Sequence, residues 1–133
     1  LGMNASYYHS EHGLPPHDDS QADISTAYDI GLLALACLRH PETTKYTGKE
    51  LIYLGNRKFM CHARNHLVRK LTKYPGCDGL KTGLIDRGGW SIVATAKKNE
   101  QRIIAIILGC PEREIRDQKA RELLDYGFKV IEK

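Results

Sequence analysis

A lysine and a threonine stand side by side between two glycines in the stretch Gly79-Leu80-Lys81-Thr82-Gly83. The lysine offers a positive charge, the threonine a hydroxyl donor, and Gly83 a place where a ligand or another backbone comes close. Phosphate binding is one chemistry for such a set, but it requires glycine directly before the lysine and a helix after the loop. Leu80 occupies the place of that glycine. The next residues, "WSIVATAKK" and then "QRIIAIILG", read as the two strands of a hairpin rather than a helix. The set suits a different ligand better. A carboxylate-bearing, peptide-like molecule lying along the strand would meet the charge, the hydroxyl and the backbone hydrogen-bonding groups together.

Other chemistries find less support. Cys37, Cys61, Cys77 and Cys110 are far apart and form no C-x-x-C pair. Cys61, His62 and His66 are the nearest approach to a zinc set. Adjacent strand residues point opposite ways, and nothing at a recognisable spacing completes a tetrahedron. These groups read as small buried thiols and solvated histidines, and neither a metal nor a cofactor is expected. A seryl nucleophile of the Ser-x-x-Lys type needs its lysine three residues later, on the same helix face. Ser6, Ser10, Ser20, Ser25 and Ser91 are followed at that spacing by His9, Gly13, Asp23, Tyr28 and Ala94. Ser-x-Asn is absent as well.

The elements that must position Lys81 and Thr82 follow from pattern. Residues 1–24, with Pro15 and Pro16, read as a long irregular segment. "ISTAYDIGLLALACLRHP" is a helix capped by Ser25 or Thr26, with Asp29 at its positive end. Ala27, Ile30, Leu33, Ala34, Cys37 and Leu38 form its expected buried face, and Pro41 ends it. "PETTKY" starts a further short helix. "ELIYLGNRKFMCHA" is a hairpin around Gly55-Asn56, a pair suited to a tight primed turn. "RNHLVRKL" is a short helical or looped connection. Three strands are expected at about 77–85, 90–97 and 102–108, with "KKNEQ" as the turn between the last two. The third is apolar on both faces and so is expected at the centre of a covered sheet. A helix over about 112–126 would contact it through Ile115, Ala120, Leu123, Leu124 and Tyr126 and stop at Gly127. The fold class is α+β: an antiparallel sheet with a C-terminal helix on it, and a helical and hairpin segment over 1–75 before the sheet and helix of 76–133.

Composition sets the outer bounds. With 133 residues, 41% hydrophobic and 27% charged, the chain has the mix of a folded domain or a piece of one. The net charge of +4 is spread without a long Lys/Arg run, so no nucleic-acid partner is expected, whereas another anionic polymer fits. No apolar run reaches the ~18 residues needed to span a bilayer. Leu1 stands at the first position and "LGMNASYYHS" lacks the regions of a signal peptide, so the chain is expected to be trimmed or processed.

Taken in order, "HGL" at 12–14, "STAYDIGLLALACL" at 25–38, "ARNHLV" at 63–68, "DGLKTG", "GGWSIVATAKKNEQRIIAIILG" and "R…ARELLDYGF" resemble the D-alanyl-D-alanine carboxypeptidases, the low-molecular-weight penicillin-binding proteins. The resemblance covers nearly the whole chain and implies part of a penicillin-binding/β-lactamase-like fold. It implies a role for each residue of the set. Lys81 resembles the lysine that brings positive charge to the active site, and Thr82 the hydroxyl that bonds the terminal carboxylate. Gly83 keeps the strand open, and the backbone N–H of Leu84 matches the strand half of an oxyanion hole. Arg64 resembles the arginine that reaches the same carboxylate, and Arg116 a supporting arginine on the last helix. His12 reads as a loop-organising residue. Two positions depart from the family: Ile85 replaces a usual threonine, and Cys77 a branched apolar residue.

What the resemblance implies about function is a serine-type carboxypeptidase acting on peptidoglycan stem peptides, with β-lactams as alternative ligands. Its Ser-x-x-Lys and Ser-x-Asn motifs would lie in a missing N-terminal portion of the same domain, so this chain alone is expected to be inactive. The rivals are a non-catalytic peptidoglycan- or penicillin-binding module and a β-lactamase-related hydrolase. A periplasmic or other extracytoplasmic location is implied by resemblance, with membrane association left open.

Overall fold

The structure is a computed structural model that describes residues 1–11, 13, 22–56 and 59–132. His12, His17, Pro15 and Pro16 lie outside the described residues, as do Arg57 and Lys58. The element order is α1 (Ala27–Leu38), α2 (Pro41–Thr47), β1 (Leu51–Leu54), β2 (Phe59–His62), a 3-10 turn at His66–Val68, β3 (Cys77–Ile85), β4 (Gly89–Lys98), β5 (Gln101–Cys110) and α3 (Arg113–Ile131).

Helix α1 starts where its cap dictates. The Thr26 hydroxyl accepts from the Asp29 N–H at 3.2 Å. Asp29 also holds the incoming N-terminal segment, because its carboxylate accepts from the Ala5 N–H and the Ser6 hydroxyl. Beyond that, Tyr7 and Ile24 pair as an isolated antiparallel bridge. The β1–β2 hairpin turns through Gly55 and Asn56, both at positive φ. The β4–β5 hairpin closes tightly: Lys98 faces Gln101, and Asn99 and Glu100 both take positive φ, as a primed two-residue turn requires.

Strands β3, β4 and β5 form one antiparallel sheet in that order. β4 is therefore the middle strand, not β5 as its two-sided apolarity suggested. The apolarity has another cause: a helix covers β5 on each side. α3 packs on β4 and β5, while α1 approaches β5, with Gly31 facing the Ile106 side chain. The core gathers Leu67, Val68, Ile92, Ala94, Ala105 and Leu124.

Two sequence expectations for α3 give way. The helix does not stop at Gly127 but runs on to Ile131. The glycine is there for room, since a Cβ at 127 would come within 2.7 Å of Ile103 Cγ2. The buried stripe is Arg116, Ala120, Leu124 and Phe128, one residue every helical turn, with Asp117 beside it. Ile115, Leu123 and Tyr126 remain substantially exposed. On α1, Ala34 is buried as expected, but Ala27 and Cys37 are exposed.

Candidate active site

Among the described residues, β3 pairs only with β4, so its other edge is free along the Lys-Thr-Gly stretch. Two neighbours hold the start of the strand in place. Thr47, at the end of α2, donates its hydroxyl to the Asp78 carbonyl at 2.7 Å. Asn65 donates its amide to the Gly79 carbonyl at 2.9 Å and accepts from the Leu67 N–H at 2.9 Å. Gly79 is required here, since a Cβ would lie 2.5 Å from Thr47 Oγ1. The sheet adds a third restraint. Arg102 on β5 reaches across β4 to clasp both oxygens of Asp78 at 2.7 and 2.8 Å, and its first amine also donates to the buried Thr95 hydroxyl at 2.7 Å. Such a two-pronged pair is geometrically specific as well as strong.

The strand so held borders a cavity of about 260 Å³. Lys81, Thr82, Arg64, Asn65, Lys49 and Thr47 are among its lining residues, and no aspartate or glutamate lines it. Lys81, Thr82 and Arg64, singled out from sequence, thus share one space. Lys81 is exposed and folds its ammonium back to the neighbouring Thr82 carbonyl. Arg64 is exposed and has no carboxylate partner among the described residues. Gly83 and Leu84 continue the strand beyond the cavity, both exposed, opposite Ser91 and Trp90 on β4. A second, apolar cavity lies between α1, α2 and the sheet, and Lys81 borders that one as well, beside Ile30, Leu33, Ala34 and Val93.

Arg116 is placed elsewhere. Its side chain is only 1% exposed and does not line the cavity with Lys81. Its guanidinium donates to Asp117 Oδ1 at 2.9 and 2.6 Å, reaches the Ser91 carbonyl at 3.5 Å, and lies 5.6 Å over the Trp90 ring. A buried cation needs such partners, and they hold it behind β4. Because Ser91 pairs with Gly83, Arg116 is one strand behind the Lys-Thr-Gly stretch. The same Asp117 takes a contact from His66 Nδ1 at 3.2 Å. Burial, with Arg69 next in effect, lowers the His66 pKa below 6.5, which favours the neutral imidazole at pH 7. Nearby, burial pushes the Cys77 thiol up, which keeps it protonated and inert.

Asn65, Thr47 and the Asp78–Arg102 pair were not singled out from sequence. Asn65 adjoins Arg64 and Asp78 opens "DGLKTG", so both had a local signal. Thr47 and Arg102 had none, because each acts across a distance along the chain that only the fold closes.

Residues 1–112 match the D-alanyl-D-alanine carboxypeptidase family model. Among individual relatives, the chain is 30% identical to D-alanyl-D-alanine carboxypeptidase DacF of Bacillus subtilis over 99% of its own length and 33% of that protein. It is also 30% identical to D-alanyl-D-alanine carboxypeptidase DacA of Escherichia coli K12, over 99% of this chain and 31% of the relative. The fold superposes on penicillin-binding protein D2 of Listeria monocytogenes in its ampicillin-bound form, with a TM-score of 0.84 at 29% identity, over 96% of this chain and 50% of that one. Penicillin-binding protein 5 of Haemophilus influenzae gives a TM-score of 0.81 at 28% identity, over 96% of this chain and 36% of that one. The chain therefore spans about a third of the length of the full relatives it matches.

Proposed function

The chain belongs to the D-alanyl-D-alanine carboxypeptidase family, and from that membership we propose that it is the C-terminal portion of a serine-type catalytic domain. That domain removes the terminal D-alanine from peptidoglycan stem peptides and is acylated by β-lactams. The observation that carries the reading is the single cavity in which Lys81, Thr82 and Arg64 meet beside a free strand edge, with no acidic lining residue. Such a place attracts a carboxylate and leaves an extended peptide somewhere to lie.

In this reading the peptide adds antiparallel to β3. Its terminal carboxylate accepts from the Thr82 hydroxyl and from Arg64, and its scissile carbonyl lies farther along, at the Leu84 N–H. That N–H stabilises the oxyanion as the seryl oxygen, supplied by the upstream portion of the domain, adds to the carbonyl carbon. Lys81 supplies positive charge to the bound ligand and to the transition state alike. Arg116 is a positioning residue, acting through Ser91 and Trp90 on the strand behind Gly83. The substrate belongs to the cell wall, so the work is done outside the cytoplasmic membrane.

The test is release of D-alanine from a D-Ala-D-Ala peptide by the complete protein containing this segment, with and without Lys81→Ala. Losing a charge that acts on the transition state costs about 2–4 kcal/mol, roughly a hundredfold or more in rate. Full activity in Lys81→Ala would take the Lys-Thr-Gly strand out of the active site.

A further inference from the structure

The ladder between β3 and β4 is irregular just before the Lys-Thr-Gly stretch. Cys77 pairs with Ala96, and Gly79 pairs with the next residue of β4, Thr95. Asp78 is thus one residue too many on β3, a bulge. Every later pairing depends on it. With the bulge in place Lys81 stands opposite Val93, and both border the apolar cavity beside Ile30 and Leu33 of α1. Were Asp78 taken into the ladder, Lys81 would stand opposite Ile92. That residue is 1% exposed and shares a core with Ala120 and Leu124 of α3. A shift of one residue turns each following side chain to the other face of the sheet.

The extra residue is the one that Arg102 clasps. Its guanidinium donates to both Asp78 oxygens at 2.7 and 2.8 Å. The same Nη1 reaches Thr95 Oγ1 at 2.7 Å, on the fully buried residue that faces Gly79 across the bulge. One side chain from β5 therefore ties together both strands of the irregular pairing. Arg102 itself lines neither cavity beside Lys81.

We propose, resting on the function above, that Arg102 is a positioning residue for Lys81. By clasping Asp78 and Thr95 it selects the bulged register, in which Lys81 faces the site and not the core. Without the clasp two registers compete, and substrate binds only the bulged one. Apparent affinity then falls by the fraction of competent protein, while turnover at saturating substrate is kept. Lys81→Ala differs, because it removes the charge from the transition state itself.

The experiment measures kcat and KM on a D-Ala-D-Ala peptide for the complete protein and for its Arg102→Met and Arg102→Lys variants. Backbone contacts across β3 and β4 are followed by NMR in the same proteins. Arg102→Met should raise KM about tenfold and leave kcat within about twofold. Arg102→Lys keeps the charge with one prong, and its KM should lie between. A second set of contacts, Lys81 to Ile92, should appear beside Lys81 to Val93 in Arg102→Met. An unchanged KM, a fall in kcat alone, or a lower melting temperature with one unaltered set of contacts would overturn the inference and leave the carboxypeptidase reading standing. If Arg102→Met does not fold, Arg102→Lys carries the same readings. No D-alanine release by the unaltered protein would overturn the carboxypeptidase reading, and the cross-strand contacts would then decide the register role by themselves.

Discussion

Arg64 and Arg116 are both arginines near one strand, and their surroundings are opposite. Arg64 is exposed beside the cavity and without a carboxylate partner among the described residues, so its replacement should touch binding alone. Arg64→Ala is expected to lower kcat/KM on a peptide with a free terminal carboxylate and to spare the amidated analogue. Equal losses on both would remove carboxylate recognition from Arg64. Arg116→Ala, by contrast, strips the buried Asp117 of its cation and should cost about 3–5 kcal/mol of stability, read by thermal or chemical denaturation. His66 adds a pH dependence to the same cluster. Its folded-state pKa lies below its ordinary value of 6.5, so its contribution is present above that pH and is lost as pH falls through the folded value. The charges facing it are Arg69, Asp117, Arg113 and Arg116. The melting temperature should drop between pH 7 and pH 5, and His66→Gln should flatten that drop.

Helix α3 shows where pattern reading holds and where it fails. Its existence and its place on the sheet follow from the apolar strand before it and from Ala120 and Leu124, which are both buried as expected. Its inner face was misjudged because the stripe begins with a buried arginine, which a hydrophobic pattern counts as outside. Its end was misjudged because a glycine near a helix terminus usually reads as a stop, whereas Gly127 makes space for Ile103. Gly127→Ala therefore tests packing against propensity. Alanine would gain about 1 kcal/mol as a helix former, but crowding Ile103 costs about 1–3 kcal/mol. A net loss of stability is expected, and it should be smaller when Ile103→Ala is already present, which a double-mutant cycle measures. Strand β3 was legible to its ends because glycine, β-branched and turn residues bracket it. What holds it was not legible: Thr47, Asn65 and Arg102 come from three other elements, and no local pattern links them to Asp78 and Gly79.

At the scale of the whole molecule, the family and the fold class stood in the order of the motifs, whereas the depth of the site did not. The charge and hydroxyl of the Lys-Thr pair are in place on this chain, but none of its serines has a lysine three residues later. The isolated 133-residue chain should take up no fluorescent penicillin in a form that survives denaturing electrophoresis. A labelled band would mean that one of the five serines here is activated by some other base.

The carbonyls of Asp78 and Gly79 are already taken by Thr47 and Asn65. A bare strand edge is a template, and any extended chain that finds it, including another copy of the same protein, can begin a fibril. On β3 the two side chains plug the start of that template. A foreign strand that docks on the remaining edge meets the Asp78 and Gly79 carbonyls already bonded. The contacts that hold β3 steady thus also ration how much of it is open to aggregation.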